Sequence, residues 1–386
     1  MQVTLEWIKQ LCRLIAGAPA DFPPLTDQHI KRLAWLCEQH QIFAWVYHLR
    51  EPLQRANPNL SPAFFERARD YLIFNQTRNL VQIHFLRTLI PLLSACSGRY
   101  MILKGIVLAQ TVYPAAYLRT FGDIDLLVQP RDIGTLDRLL TGRGFRQGDD
   151  LYTAFPAAII RKYAFARHYL RYDPCFLAVD VHQNLSGKLH PFQFDAAAIF
   201  NSLRHVTIED LSLPTLGEAE TVLYLLYHAF KHYYFKLIWL IDLFLALRQL
   251  NLDPMHLAEQ IERYRLTRMW QFYRRLAADL FGEQVAPPGR APRLSRRLLT
   301  TEIILAGNAG LSPSRARLIY PLLYLPGYSA AGRYLLRQLF PPRDTVADFY
   351  PPMGLAPTWS AYLKCRAQAI RELVFPDRKG VSPCVP

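Results

Sequence analysis

Apolar residues recur along this chain with two different periods, and the switch between them divides it into three stretches. From residue 1 to about 95 they fall at helical spacing, in Leu33, Trp35 and Leu36, in Phe43 to Tyr47, and again from Phe64 to Leu93. Asn57 to Pro62 breaks this stretch into two helical groups. From about 96 to 205 strands appear. An apolar strand runs into Lys104-Gly105, a short helix follows, a second strand ends in Leu126-Leu127-Val128, and a helix is expected over roughly Arg131 to Gly142. Leu177 to Asn184 alternates, with Val179 and Val181 on one face and Asp180, His182 and Asn184 on the other. From about 216 the helical period returns, and His228 to Leu247 reads as one helix. Pro287 to Pro292, Phe340 to Arg343 and Pro351-Pro352 interrupt it before a final amphipathic helix around Trp359 to Leu373. The expected organisation is therefore a helical region over 1–95, a mixed core over 96–205, a helical region over 206–378 and a disordered tail over 379–386.

The chemistry concentrates in the core. Asp123 and Asp125 stand one residue apart on a strand, so both carboxylates point the same way and repel unless a cation lies between them. Oxygen ligands of this kind suit Mg²⁺. Asp180, on the later strand, is the expected third ligand, and His182 beside it would orient Asp180 or contact substrate. Lys104 and Gly105 offer a point charge and a close backbone approach, both suited to phosphate, and Arg119 stands within reach of the same group. Two acids on a strand end often do nothing, so D-x-D alone is a weak sign. The order of parts is more specific than any one of them.

That order resembles the nucleotidyltransferase superfamily related to DNA polymerase β. It is most similar to a bacterial family called uncharacterised nucleotidyltransferases, through Leu103-Lys104-Gly105, the run Arg119 to Val128 containing R-x-x-x-D-I-D-L-L-V, Gly144-Phe145 and Asp180-Val181-His182. The likeness is strong from Arg99 to Leu185 and weaker at His228 to Leu247 and Leu339 to Pro342. It implies an α+β fold with a small mixed-sheet, polymerase-β-like core between helical flanks. It also implies transfer of NMP from an NTP to an acceptor, with Asp123, Asp125 and Asp180 as catalytic residues and ligands of two Mg²⁺ ions, Mn²⁺ being the alternative. Lys104, Gly105, Arg119, His182 and Lys236 would then bind the nucleotide. One departure stands out: many relatives in the superfamily carry glycine then serine in the phosphate loop, where this chain has Lys104-Gly105-Ile106. Either Lys104 substitutes for the hydroxyl or the nucleotide is held less tightly.

Composition adds limits. The net charge of +14 is compatible with a polyanionic partner, and between Asn251 and Tyr350 every basic side chain apart from histidine is arginine, which favours planar recognition of phosphate or carboxylate. A GC-rich genome would produce the same bias. No apolar run of about eighteen uncharged residues occurs, and the first residues lack the order of a secretory leader, so a cytoplasmic protein with no membrane partner is expected. The six cysteines show no C-x-x-C pair and are expected to be reduced. His228, His232, Lys236 and Trp239 share one face of the expected helix, either closing over the nucleotide or packing between regions. The acceptor is expected to be a peptide or small molecule, with RNA or a protein side chain as alternatives. A non-catalytic nucleotide- or peptide-binding scaffold and a nucleic-acid-binding regulator or toxin are the competing classes.

Overall fold

A computed structural model describes residues 2–93, 99–148, 166–187, 190–282, 300–305, 321–325, 327–339 and 367. Apart from Ala367, the expected final helix lies outside the described residues, as do the tail, the Pro287 to Pro292 break, residues 283–299 of the arginine-only stretch, Cys96, Cys365 and Cys384.

The N-terminal stretch is helical, as its period predicts. It comprises α1 (Gln2–Ile15), α2 (Asp27–Gln39), α3 (Phe43–His48), α4 (Arg50–Ala56) and α5 (Pro62–Leu93). Thr26 starts α2 by accepting from the His29 N–H, and the Asn57 to Pro62 break falls between α4 and α5. The core then runs β1 (Tyr100–Ile102), α6 (Gly105–Thr111), β2 (Ile124–Val128), α7 (Ile133–Thr141), β3 (Arg146–Gln147), β4 (Ala166–Arg171) and β5 (Leu177–His182). Its five described strands lie in the order β1-β2-β5-β4-β3; β2 and β5 are parallel and the other neighbours antiparallel. This mixed sheet with helical flanks is the α+β architecture expected. Beyond it lie α8 (Ala196–Asn201), a hairpin of β6 (Arg204–Ile208) and β7 (Leu211–Thr215), then α9 (Glu218–Lys231), α10 (Leu237–Gln249), α11 (Pro254–Arg263) and α12 (Thr267–Phe281). The expected boundary after residue 205 falls inside β6, and the hairpin is tied to the core sheet through the Thr215 hydroxyl, which donates to the Ile102 carbonyl at 2.7 Å.

Alternation along β2 and β5 gives the sheet two unlike faces. Ile124, Leu126, Val179 and Val181 pack with Leu136 and Leu140 of α7 and with Ile83, Phe85, Leu86 and Leu89 of α5 in one core. Met101 and Leu127 face the other way, into a larger core built from α1, α3, α9, α10 and α12. From Ala219 to Phe230 every residue of α9 is buried, which is why its sequence is apolar on almost all sides.

The single helix expected over His228 to Leu247 is two. α9 stops at Lys231, and Tyr233 and Tyr234 take left-handed conformations with φ of 57° and 59°. The Tyr234 N–H bonds the Ala229 carbonyl and the Tyr233 N–H the Phe230 carbonyl, both at 2.8 Å, the two bonds that close a helix C-terminus. Tyrosine occupies the position where glycine usually announces such a stop, so the apolar period carries on across it.

Candidate active site

Asp123 and Asp125 come together at the start of β2, with Asp125 in the strand and Asp123 just before it. The parallel register sets Asp125 directly opposite Asp180, and Leu127 opposite His182. Opposed residues of paired strands face the same side, so the two carboxylates stand next to each other on the face away from α7. One ligand atom from each of Asp125, Asp180 and His182 lies within 4.8 Å of the others.

Asp125 and Asp180 each have partners of their own. Asp125, only 1% exposed, accepts from His182 Nε2 at 3.0 Å on one oxygen and meets the Lys104 ammonium at 3.0 Å on the other. Burial pushes the Asp125 pKa up, but Lys104 and the His182 N–H outweigh it and hold the carboxyl well below its usual range. Lys104 in turn is pulled down by burial and carried above its ordinary value by Asp125 and then Asp123. Asp180 accepts from His168 Nδ1 at 2.7 Å, from the opposed position on β4. Asp123 is raised, first by the Asp125 charge and then by burial. At Asp123 the Asp125 charge and burial together thus outweigh the relief that Lys104 gives.

The Lys104-Gly105 loop is shaped by the same strand. Leu103 N–H bonds the Asp125 carbonyl at 2.8 Å, and the chain turns sharply at Lys104, with φ of 23°, and Gly105, with φ of 40°. A side chain at Gly105 would be strained at that φ, and its Cβ would also touch the Asp123 carbonyl and the Phe121 ring. Lys104 holds a sparsely populated backbone conformation at the head of α6, in the position where the ion pair to Asp125 needs its ammonium.

Arg119 is not with these groups as a free cation. Its Nε and Nη2 donate to the two Asp242 oxygens at 2.8 and 2.7 Å, the Tyr113 hydroxyl adds 2.6 Å to one of them, and Arg119 and Asp242 are 4% and 1% exposed. Lys236 caps α10 with its ammonium 5.5 Å from the Trp239 ring, and it is close enough to Asp123 for that charge to oppose the lowering caused by burial. His228, His232 and Trp239 gather despite the helix break, with centroids 4.7 Å apart for the two histidines and 5.4 and 4.8 Å from each to the tryptophan.

α9 brings a second set that the sequence reading did not single out. Tyr224 and Lys231 share a stripe with His228, at i, i+4 and i+7, and all three lie within the field of Lys104. Burial, then Lys104, holds the Lys231 pKa down to about 8, against the pull of Asp125 and Asp180. The spacing was visible, but in a helix buried at every position from Ala219 to Phe230 nothing marks this stripe over its neighbours.

A family model described as an uncharacterised nucleotidyltransferase matches residues 26–282, more than half of the chain. No curated protein matches it. No described helix is long and apolar enough to cross a membrane.

Proposed function

The chain belongs to this uncharacterised nucleotidyltransferase family, and from that premise we propose that it moves NMP from an NTP to an acceptor hydroxyl, amine or phosphate, with Mg²⁺. The observation that carries the reading is the side-by-side placement of Asp125 and Asp180 on parallel strands, beside a half-buried lysine. The donor set fits a hard dication: two adjoining carboxylates, and a third, Asp123, whose raised pKa records the repulsion that such an ion would relieve. Asp123, Asp125 and Asp180 would hold the ions, two of Mg²⁺ or Mn²⁺, while His182 and His168 orient the carboxylates they donate to. When bound, the ions supply charge neutralisation at the phosphoryl oxygens and the leaving pyrophosphate.

The remaining roles belong to the chain. Lys104 and the first N–H groups of α6 receive the triphosphate, with Lys236 and Lys231 facing it from the α9–α10 side. Asp180 faces the acceptor, whose lone pair forms the new bond to the α-phosphorus as the bond to the pyrophosphate oxygen breaks. The acceptor's proton passes to Asp180 or to solvent. Arg119 acts through Asp242, fixing the segment that leads into Asp123, rather than by touching phosphate. The acceptor is a peptide or small molecule in this reading, with RNA as the competing class.

Incubation of the pure protein with each α-labelled NTP, Mg²⁺ and a cell extract tests it. Label should move to one fraction of the extract with wild type and fail to move with Asp125→Asn. No transfer from any NTP by wild type would remove the catalytic reading and leave a binding scaffold.

A further inference from the structure

α5 spans both cores, burying Phe64, Phe65 and Ala68 in the larger one and Ile83, Phe85, Leu86 and Leu89 in the other. Its middle is polar and faces the segment that leads into Asp123. Asn75 donates to the Thr120 hydroxyl at 2.8 Å, and Asn79 donates to the Ala116 carbonyl at 2.8 Å. Arg78 lies between them in sequence and reaches further along the same segment, to Gly122. A Cβ at Gly122 would stand 2.7 Å from a terminal nitrogen of Arg78 and, its chain neighbours aside, would meet no other described residue within 4 Å. Gly122 is not among the residues with positive φ, so its missing side chain answers a need for space and not for conformation. The space is occupied by a guanidinium beside the first acid of the site.

What that guanidinium does can be read from its donors. Burial disfavours its charge and Asp123 offsets part of that cost, while Phe74 lies 5.3 Å below it. Among the described residues no hydrogen bond takes up its N–H fork. Arg119 is the contrast, with its fork spent on Asp242. Lys104 is engaged by Asp125, and Ile106 supplies no hydroxyl to the phosphate loop. The site thus has point charges from lysine but needs a planar, bidentate donor for phosphate, which is what arginine provides.

We propose that Arg78 is a further nucleotide-binding residue, which offers its guanidinium to the phosphate oxygens of the NTP at the Asp123 edge of the site, and that Gly122 is glycine to admit it. The proposal rests on the nucleotidyl-transfer reading. It makes the N-terminal helical region part of the substrate site.

Calorimetric titration of non-hydrolysable NTP analogues with Mg²⁺ tests this, using wild type, Arg78→Ala, Arg78→Lys, Gly122→Ala and the Arg78→Ala/Gly122→Ala double variant. Arg78→Ala should weaken binding about tenfold or more, the worth of one charge-assisted hydrogen bond, and Arg78→Lys should restore only part of it. Gly122→Ala should weaken binding by pushing the guanidinium aside, yet add nothing in the double variant. Mn²⁺ affinity without nucleotide should not fall in any of them, which separates lost phosphate contact from misfolding. If wild type binds an analogue and Arg78→Ala binds it equally well, Arg78 is only a counter-ion of Asp123 and the inference falls alone. A further loss in the double variant would overturn the spatial argument. Wild type binding no analogue would overturn the nucleotide reading and this inference together.

Discussion

Two carboxylates in this molecule are buried to the same 1% exposure, and their surroundings are opposite. Asp242 accepts from two nitrogens of Arg119 and from the Tyr113 hydroxyl, at 2.6 to 2.8 Å, so its charge is matched and its oxygens are filled. Asp125 has one lysine and one histidine at 3.0 Å, and Asp123 and Asp180 crowd the same space. The first arrangement is a strut joining α10 to the segment before β2. The second crowds three carboxylates together, and Asp123 carries the repulsion, which a bound cation would relieve. Burial alone does not separate these two acids; the charge and hydrogen bonding around them do.

The strut should give the largest effect on stability. Asp242→Ala leaves the Arg119 guanidinium buried without its partner, and a loss of about 3–5 kcal/mol in chemical denaturation is expected. A loss under about 1 kcal/mol would mean that the pair is solvated and the contrast with Asp125 is false.

Lys104→Met sharpens the contrast from the other side. It removes the main cation from the acid cluster, so the metal-free protein should lose roughly 2 kcal/mol, less than the strut because His182 still donates to Asp125. Divalent metal should restore more stability to this variant than it adds to wild type, since no ammonium competes for the carboxylate. Thermal melts with and without Mg²⁺ check both points, and equal gains in the two proteins would argue that Lys104 and metal do not share a site.

The two regions also differ in pH response. Burial, then the neighbouring Lys231, holds the pKa of both His190 and His232 down to about 3, while the arginine of the strut stays charged throughout. In the unfolded chain each histidine takes up a proton near about 6.5, so the unfolded state binds more protons between that value and about 3. Stability should therefore fall as pH drops below about 6.5, by about 1 kcal/mol per histidine between pH 7 and 5.5. His190→Phe, which keeps a ring among Tyr227, Phe230 and Phe192, should flatten the slope; an unchanged slope would mean that His190 titrates alike in the folded and unfolded states.

The smallest effect belongs to Asp123. Its raised pKa marks a repulsion, so Asp123→Asn should stabilise the metal-free protein by up to about 1 kcal/mol while reducing metal-dependent nucleotide binding. A destabilised variant would make Asp123 a structural acid.

The legible parts of this molecule are those written in local order. Alternation in β5 and the acid spacing at β2 mark the strands and the carboxylates, and the Asn57 to Pro62 break marks the start of α5. Pairing across distance is not written locally. Arg119 finds Asp242 across 123 positions, and no spacing rule separates a phosphate-binding arginine from one already committed. The turn at Tyr233-Tyr234 escapes for a related reason: a left-handed helix stop without glycine is stabilised by packing around it, with Tyr234 fully buried. The same holds for Arg78, whose only local trace is the glycine before Asp123.

Mn²⁺ binding followed by electron paramagnetic resonance tests the central claim most directly, because it reads the acid cluster without a nucleotide or an acceptor. Wild type should take up Mn²⁺, and Asp125→Asn and Asp180→Asn should each weaken it by about two orders of magnitude, at least the scale of losing a partner of a metal ligand. Asp210→Asn, which changes an exposed acid paired with Arg87, should bind as wild type does. Mn²⁺ binding that is unchanged in both Asp125→Asn and Asp180→Asn would contradict the account.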